Sequence, residues 1–489
     1  MKRYLLILLC CATSVTAQDM HERFQEFRKG LKTDFEQTRQ EYLSAYADFL
    51  DKAWQEMTAL KGKERDPRPK PATPPTVKER PTTPPPPAME EPEIPTLPAK
   101  PTEPTEPKPE KPKPVNPVTP PAPVKPNNTM MVSFYDNQLP FPKANSHRLS
   151  SLEPSDVARV WRNYATGNIE EQAQAIQSHA TRLNLNGWFT FELIGRYADE
   201  LLSSATPSDR IVLRHCLLIA CGYDVLLCRG NNQLYLLSTV SNTVYARPFL
   251  QVYGKNYYLF GDTRTTIPNE SVSLACSVVP GDQQPTGKLT MRIDPLQKAG
   301  QVHAGQMRTI SDGRLDVKVY IDQTIMEMLR YYPQTDMPNY AKSEVMPVLH
   351  ESILQQLRPQ IQGLSETAAV NALLHFVQYG FDYATDQDQH GYEKPYFIEE
   401  NFYYPKNDCE DRSIFFAFLV RNLLHLDVHL VNYPGHECTG IAFTDQTLSG
   451  HGYRYNDRRY LICDPTYIGA KLGICMDQYV QETPKIEIW

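Results

Sequence analysis

The chain has 489 residues, which is long enough to bury a sizeable core and to form more than one domain. Its 50 Lys and Arg residues are nearly balanced by 57 Asp and Glu residues, and the net charge is −7. Because the charge is mild and no basic stripe is present, the composition argues against a nucleic-acid partner.

The first 17 residues have the pattern of a secretory signal peptide. A basic start is followed by an apolar stretch from Tyr4 to Val15 that is too short to span a bilayer, and Ala17 ends a cleavage-like site. Cys10 and Cys11 raise the alternative of a lipoprotein, but small residues do not precede them. The sequence therefore predicts an exported protein with no transmembrane segment after the signal is removed.

Residues 18–62 are predicted to form one long amphipathic helix. Its apolar residues recur at helical spacing, and they are Phe24, Phe27, Leu31, Phe35, Tyr42, Phe49 and Trp54. This stripe would be exposed on an isolated helix, so it should pack on an unknown protein partner or on the globular part of the chain. A coiled coil or a membrane-surface helix fits less well, because the spacing drifts from heptads and the polar face carries acids.

Residues 63–128 are predicted to form a linker. Over half of the 42 prolines of the chain fall here, interleaved with Lys, Glu and Thr. Such a segment cannot build a core and favours extended polyproline II structure. We expect a semi-rigid tether between the N-terminal helix and a mobile C-terminal body.

The globular body is predicted to begin near residue 129. The pattern over 129–265 indicates an α/β region with a short strand and several helices. Residues 266–330 alternate like strands between Gly and Pro turns, which favours a small β-sandwich or a β insertion. Residues 331–489 begin with helices that lead into the part of the chain with the strongest chemical motifs.

The first of these motifs surrounds Cys409. The run Asn407-Asp408-Cys409-Glu410-Asp411-Arg412-Ser413 precedes an apolar stretch without Gly or Pro, which predicts a buried helix beginning at about Cys409. Asn407 is the predicted N-cap, with Glu410 as the acid of a capping box. A thiol in the first turn faces unpaired N–H groups and the positive end of the helix dipole, which favour a thiolate. The alternative is a small apolar residue at the start of a core helix.

Two later strands can complete a catalytic triad. His436 opens a predicted strand after a Pro-Gly turn, and Asp464 ends a predicted strand that begins at Arg459. Side chains at the ends of different elements can converge, and a Cys, a His and an Asp are the groups that nucleophilic catalysis needs. His451 is an alternative base, but Gly450-His451-Gly452 looks like a turn.

These motifs resemble the transglutaminase-like superfamily, which has a papain-like fold, and most of all its secreted members in Bacteroidetes-type bacteria. Tyr404-Pro405 and the run Asp464-Pro465-Thr466-Tyr467-Ile468-Gly469-Ala470 carry the closer likeness. The resemblance implies an α+β chain with a papain/transglutaminase-like domain at 331–489. It also implies Cys409 as nucleophile, His436 as base, Asp464 as the group that orients the base, and a periplasmic, cell-surface or extracellular location in a bacterium.

A second segment repeats part of this pattern. Asp209-Arg210, an apolar helix and a hydrophobic-Asp-Val strand follow each other as they do after Asp411-Arg412. In this alignment Pro207 stands opposite Cys409, and a Gly-Asn-Asn turn stands opposite the segment before His436. We expect a degenerate transglutaminase-like half from about Leu152 to Asp262. The alternative is a generic helix–strand unit.

Acyl transfer through a thiolate also needs an oxyanion hole. The Cys409 N–H can supply one donor, and Gln378, Gln389 and Tyr392 are the candidates for a second. Eight cysteines follow the signal peptide without a C-x-x-C pair, so a structural zinc site is not expected, and the chain is too large to need a disulfide framework. A bridge between Cys409 and Cys438 is an alternative. No acidic loop with regular ligand spacing occurs, so neither a metal nor another cofactor is predicted.

Three functions compete at this point. The first is an exported cysteine peptidase or amidase that hydrolyses an amide bond of a peptide or peptide-glycan substrate through a thioester. The second is a crosslinking transamidase, in which a Lys amine resolves the same thioester. The third is a non-catalytic binding or scaffold protein that works through its helix and tether.

Overall fold

The computed structural model describes residues 38–52, 54–65, 70–77, 128–261, 267–280, 284–295 and 305–489, with helices and sheets in an α+β arrangement. The predicted signal peptide, the first part of the predicted long helix and most of the predicted linker lie outside these residues.

The helices are numbered in chain order. They are α1 (38–50), α2 (Pro154–Ala165), α3 (Ile169–Leu183), α4 (Gly187–Leu201), α5 (Pro207–Ala220), α6 (Gln323–Leu329), α7 (Met337–Lys342), α8 (Pro347–Gln360), α9 (Glu366–Gly380), α10 (Asp386–His390), α11 (Ile398–Tyr403) and α12 (Cys409–Leu424).

The strands are numbered in the same way. They are β1 (Gln55–Ala59), β2 (Thr129–Phe134), β3 (Asn137–Pro142), β4 (Val225–Gly230), β5 (Gln233–Thr239), β6 (Phe249–Val252), β7 (Lys255–Phe260), β8 (Val272–Cys276), β9 (Gly305–Ser311), β10 (Asp316–Asp322), β11 (Asp382–Tyr383), β12 (Lys406–Asn407), β13 (Asp427–Tyr433), β14 (His436–Ala442), β15 (Gly452–Tyr455), β16 (Arg458–Cys463) and β17 (Lys485–Glu487).

Helix α1 packs on the chain's own globular part. Leu43, Tyr46 and Leu50 are buried in the main core, and the Tyr46 ring stacks on Trp161 of α2 with centroids 5.2 Å apart. Arg162 also pairs with Asp48 across the same contact at 2.7 Å. The apolar stripe was expected to pack either on a protein partner or on the globular part of the chain. The described part of the helix packs on the globular part.

The prediction of one helix to residue 62 is wrong beyond residue 50. A turn follows α1, and the chain then forms β1, which pairs antiparallel with β8. Leu60 continues the pairing with a bridge to Phe249. Backbone pairing with a distant strand decides the conformation here, because helix propensity is a weak preference that tertiary contacts override.

The N-terminal sheet is antiparallel and has the order β1-β8-β4-β5-β7-β6. Its central strands β4 and β5 join through Asn231 and Asn232, which both have positive φ values, 48° and 57°, as a tight hairpin requires. A disulfide links Cys228 of β4 to Cys276 of β8. The sequence did not predict this disulfide, because the spacing of cysteines does not show which strands become neighbours.

The C-terminal sheet is also antiparallel and has the order β15-β16-β14-β13-β17. The turn at Pro434 and Gly435 joins β13 to β14, and Gly435 has a φ of 75°, which a residue with a side chain rarely adopts. Helix α12 packs against β13 and β14. Almost all of its residues are buried, in agreement with the apolar run that predicts it.

The two sheets share one topology. In each, a capped helix leads into a hairpin, and the order β8-β4-β5-β7-β6 corresponds strand by strand to β17-β13-β14-β16-β15. Each helix starts with a capping box, in which the N-cap residues are Thr206 and Asp408 and the third helical residues are Asp209 and Asp411. This correspondence agrees with the expected internal repeat, with β1 as an additional edge strand of the first copy.

The predicted separate β region at 266–330 is divided between two places. Strand β8 belongs to the N-terminal sheet, whereas β9 and β10 form a hairpin that packs on α8, α9 and α11 of the C-terminal part. The segment 288–293 makes isolated bridges rather than a strand of its own. Alternating patterns marked most of these strands but did not show which sheet each one joins.

One hydrophobic core runs through both halves. Tyr332 connects them, with its ring centroid 6.2 Å from Trp188 and 5.2 Å from Phe397. Within the described residues, none of the helices has the length and apolar character needed to cross a bilayer.

Candidate active site

Cys409 is the first residue of α12, as the sequence predicts. The N-cap, however, is Asp408 rather than Asn407, and its N–H donates to Asp411 Oδ2 at 3.2 Å. The capping acid is therefore Asp411 and not Glu410. This shift by one residue leaves the side chain of Glu410 beside the thiol, where Cys409 Sγ donates to Glu410 Oε2 at 3.2 Å.

His436 and Asp464 form a buried pair. His436 is the first residue of β14, Asp464 follows β16, and His436 Nε2 lies 2.8 Å from Asp464 Oδ2. The other oxygen of Asp464 accepts the backbone N–H groups of Thr466 and Tyr467 at 2.9 and 3.0 Å. The carboxylate is thus held on both oxygens, and His436 Nδ1 is left as the ring nitrogen that can take a proton from a thiol.

Two contacts place His436 beside Tyr479 and beside the first turn of α12. The Tyr479 ring stacks on His436 with centroids 5.5 Å apart and an interplanar angle of 2°. Burial raises the pKa of Tyr479 above its ordinary value, and a hydrogen bond from Gln478 opposes this rise. One turn into α12, Ser413 Oγ donates to the carbonyl oxygen next to His436, that of Glu437, at 3.0 Å. The start of α12 and the start of β14 therefore meet at one place.

His451 occupies a different position. Its backbone N–H donates to Gly473 at 2.8 Å and its carbonyl accepts from Ile462, at the start of the edge strand β15. The residue that pairs with Asp464 is His436.

The three oxyanion candidates have different environments. Gln378 is buried, and its Nε2 lies within 3.0 Å of the carbonyl oxygens of Asp464, Tyr467 and Ala470. This amide holds the loop that carries Asp464, so it has no N–H left for a substrate. Gln389 Nε2 donates to Lys406 O at 3.1 Å and to Tyr396, and the Tyr392 side chain is exposed. The hydrogen bonds of Gln378 argue against it as the donor, whereas the roles of Gln389 and Tyr392 stay predictions.

Replacing Gln378 by Met should destabilise the protein by about 2–3 kcal/mol, because three buried carbonyl oxygens lose their donor. Urea denaturation followed by tryptophan fluorescence measures this loss. Gln387→Met is the matched control, since Gln387 is exposed and should change stability by less than about 0.5 kcal/mol. Equal effects of the two substitutions would show that the Asp464 loop does not depend on Gln378.

The surroundings of Cys409 oppose the expected thiolate. The residue is buried, and burial raises the pKa of its thiol well above the usual value, with Glu410 raising it further and Lys70 opposing the rise. The helix dipole is therefore outweighed by the removal of water and by a carboxylate in contact with the sulfur. Cys409 and Cys438 are both free thiols, so the alternative of a disulfide between them is not present in this structure.

Part of the predicted linker packs on the two residues that flank Cys409. The side chains of Arg65 and Lys70 are only 8% and 5% exposed. Lys70 Nζ lies 2.9 Å from Asp408 Oδ2 and also contacts Glu410, and Arg65 Nη2 lies 3.0 Å from Glu410 Oε1. The tether is therefore not free of the body along its described part. No local pattern reveals this, because a Lys or an Arg among prolines looks like a solvated residue.

A group of acidic side chains lies beside the nucleophile. Carboxylate oxygens of Asp386, Asp408 and Asp411 lie within 4.8 Å of one another, and burial raises the pKa of each carboxyl group. Backbone N–H groups use several of these oxygens, as in the bond from Tyr396 N to Asp411 Oδ1 at 2.8 Å. Such oxygens can bind a hard cation, but Lys70 supplies the positive charge at this place.

Arg412 anchors the segment before Cys409. The guanidinium is buried, with Nε 2.8 Å from Asn407 Oδ1 and Nη2 2.8 Å from Phe381 O. Burial lowers the pKa of Arg412 to about 10, so it stays protonated at neutral pH. It ties β12 to the end of α9 and thereby fixes the approach of the chain to α12.

The N-terminal half has neither a Cys, a His nor an Asp at the places equivalent to Cys409, His436 and Asp464. Pro207 is the first residue of α5, Gln233 opens β5, and Gly261 follows β7, where the C-terminal half has Cys409, His436 and Asp464. Because Pro207, Gln233 and Gly261 offer neither a nucleophile nor a base, these three residues cannot perform acyl transfer.

Comparison of the chain with protein-family models, with curated proteins and with solved structures gives no match. A function can therefore be inferred only from the residues around Cys409 and from the sequence motifs.

Proposed function

We propose that this protein is an exported bacterial cysteine-dependent acyl-transfer enzyme of the transglutaminase-like type, which hydrolyses amide bonds of a peptide-like substrate. The observation that carries the proposal is the buried pair of His436 and Asp464, 2.8 Å apart, together with the hydrogen bond from Ser413 to the carbonyl oxygen of Glu437, which holds the start of β14 against the first turn of the helix that begins with Cys409. A nucleophile, a base and a group that orients the base are the three parts that such a reaction needs.

The reaction follows from these positions. His436 takes the proton of the Cys409 thiol, and the sulfur attacks the amide carbon to give a tetrahedral oxyanion that the Cys409 N–H can stabilise. The protonated imidazole then gives its proton to the leaving amine, and a thioester remains. Water, deprotonated by His436, attacks the thioester, and the carboxylic acid and the free thiol are released. Asp464 keeps the imidazole in one orientation throughout.

The environment of Cys409 supports a resting state rather than a working one. A thiol that is buried and hydrogen-bonded to a carboxylate reacts slowly with amides. Displacement of the segment with Arg65 and Lys70 would admit water and substrate. We therefore expect low activity in the isolated chain and higher activity when this segment is displaced.

The papain-like fold belongs to the same proposal. It is supported by a buried helix with Cys at its first position, packed on an antiparallel sheet that supplies His and Asp from the ends of two strands. The two sheets of equal topology support the view that the N-terminal half is a copy without catalytic groups.

The burial of Cys409 and the raised pKa of its thiol favour a second candidate, a non-catalytic binding or scaffold protein. On this reading, the triad-like residues hold the C-terminal sheet together, and Lys70 and Arg65 neutralise a buried acidic cluster.

A product assay separates these functions. The full chain is incubated with a mixture of peptides and peptidoglycan fragments, with and without a fluorescent primary amine, and products are identified by mass spectrometry. New carboxyl termini that disappear with Cys409→Ala support hydrolysis, and amine-labelled products that disappear with it support transamidation. Cys475→Ala is the control, because Cys475 is a free thiol outside the triad. If the Cys409→Ala chain forms the same products, Cys409 is not the nucleophile and the proposed mechanism is wrong. If neither the wild-type chain nor a chain in which the segment with Arg65 and Lys70 is displaced forms products or a thioester on Cys409, the protein is a binding module.

A further inference from the structure

Two cationic side chains enter the site from a segment that otherwise lies on the surface. Residues 71–73 are exposed, as are Lys63 and Glu64, whereas the side chains of Arg65 and Lys70 are almost completely buried. Only these two side chains of the described segment reach the carboxylates beside Cys409. A surface segment that inserts selected side chains among buried acidic groups resembles a bound peptide, whose side chains fill pockets of its partner.

Three carboxylates surround the ammonium of Lys70. Its Nζ lies 2.9 Å from Asp408 Oδ2 and 2.9 Å from Glu393 Oε1, and it contacts Glu410 Oε1. Asp408 and Glu410 flank Cys409 in sequence, so the ammonium lies next to the nucleophile. The second oxygen of Asp408 is buried and has no hydrogen-bond partner in the described part of the chain. An orphaned buried carboxylate oxygen is costly, and it leaves Asp408 able to accept one more hydrogen bond.

We propose that Asp408, Glu410 and Glu393 form a subsite for a cationic side chain of the substrate, and that Lys70 of this chain occupies the subsite as an intramolecular stand-in. The inference rests on the proposed function, because it names the substrate class of that site. The substrate would be a peptide, or a peptide linked to a glycan, with an ammonium or guanidinium group close to the bond that is cleaved.

The cation is a recognition group and not the acyl acceptor. Although burial alone would lower the pKa of Lys70, the charges of Glu410 and Asp408 raise it well above its ordinary value. An ammonium bound among these carboxylates therefore keeps its proton and has no lone pair for attack on a thioester. Water remains the acceptor, in agreement with hydrolysis.

The segment that follows Lys70 is attached to the globular part by neutral hydrogen bonds. Substitutions can remove these bonds without changing the charge of the protein. Tyr383 OH donates to Pro71 O at 2.9 Å, Val77 N donates to Ile468 O at 3.0 Å, and Ile468 N donates to Pro75 O at 2.8 Å. The double variant Tyr383→Phe, Val77→Pro removes two of these bonds. Arg65 and the acidic residues stay in place. Because burial raises the pKa of Glu393 to about 7 and also raises that of Asp408, the measurements are made above pH 8, where the ionised carboxylates outnumber the one guanidinium and leave the emptied subsite negative.

The first measurement tests whether the segment covers the site. Methyl methanethiosulfonate, a small neutral reagent, forms a disulfide with a thiol and releases methanesulfinate, and mass spectrometry of the Cys409 peptide follows the rate. Each lost hydrogen bond should speed the modification of Cys409 about fivefold, so the double variant should react about 25-fold faster than the wild-type chain. Thr73→Ala, at an exposed position of the same segment, should leave the rate unchanged. Equal rates in the wild-type chain and the double variant overturn the proposal.

The second measurement tests the charge of the subsite. In the double variant, the cation 2-aminoethyl methanethiosulfonate should modify Cys409 at least about tenfold faster than the anion 2-sulfonatoethyl methanethiosulfonate. Adding Glu393→Gln should reduce this preference severalfold. Lys70→Ala is a second route to the empty subsite, because it removes the side chain that fills it, and should give the same preference for the cation. Rates for the cation and the anion within about twofold of each other overturn the proposal.

Failure of the inference and failure of the proposed function are distinguishable. Adding His436→Ala to the double variant should slow both charged reagents and leave their ratio unchanged, because the ratio depends on the carboxylates alone. A preference for the cation without any Cys409-dependent product would leave a cation-binding site in a protein that is not an enzyme. Products without a preference for the cation would leave an enzyme whose substrates carry no required charge.

Discussion

The Asp464→Asn chain is expected to form an acyl-enzyme about 10³- to 10⁴-fold more slowly than the wild-type chain. Asp464 is buried and accepts from His436 through one oxygen and from two backbone N–H groups through the other. An amide nitrogen in this place would be forced toward donors, and the imidazole would lose its orientation and the charge that stabilises its protonated form. Stopped-flow release of p-nitrophenolate from p-nitrophenyl acetate measures the acylation step.

The slower acylation of the Asp464→Asn chain can be measured even though Cys409 is buried. If the covering segment opens and closes rapidly, the observed rate is the open fraction multiplied by the chemical rate, and the ratio between two chains reports the chemical rate. His436→Ala should slow acylation by a similar factor, because the two residues act as a unit. Asp445→Asn is the control, since Asp445 is exposed on the loop after β14. An Asp464→Asn chain that acylates within about tenfold of the wild-type chain would remove Asp464 from the mechanism.

The Arg412→Leu substitution should destabilise the protein by about 3–5 kcal/mol, the largest loss of stability that we expect from a single side chain in the C-terminal half. Arg412 is buried and donates to Asn407 Oδ1 and Phe381 O. Both acceptors would be left buried without a donor, and the positive charge near Asp408 and Asp411 would be lost. The shift of the urea midpoint, followed by near-ultraviolet circular dichroism, measures the effect.

The internal repeat supplies the control for this substitution. Arg210 has the equivalent position in α5, but it is more exposed and donates at 2.9 Å to Ala205 O at the surface. Arg210→Leu should therefore cost less than about 1.5 kcal/mol. Equal losses for the two arginines would mean that burial and hydrogen bonding around Arg412 do not set its contribution. A midpoint unchanged by Arg412→Leu would show that the approach to α12 is held by other contacts.

The sequence by itself determined the local elements around the site. An apolar run without Gly or Pro predicted α12, alternating residues predicted β13, β14 and β16, and residue chemistry selected Cys409, His436 and Asp464. These features are local, because a helix needs a capped start and one apolar face, and a strand needs alternation. The repeat was visible for the same reason, since Asp209-Arg210 and Asp411-Arg412 mark two helices with the same capping pattern.

Only the tertiary structure decided what surrounds these elements. Lys70 meets Asp408 from 338 positions away in the chain, and β1 replaces the end of a predicted helix because β8 offers an edge for pairing. Contacts between distant parts of the chain also produce three further features. They are the disulfide between β4 and β8, the hydrogen bonds of Gln378 to the loop that carries Asp464, and the raised pKa of the Cys409 thiol. Burial, charge and hydrogen-bond partners are set by residues far apart in sequence, so no local pattern contains them.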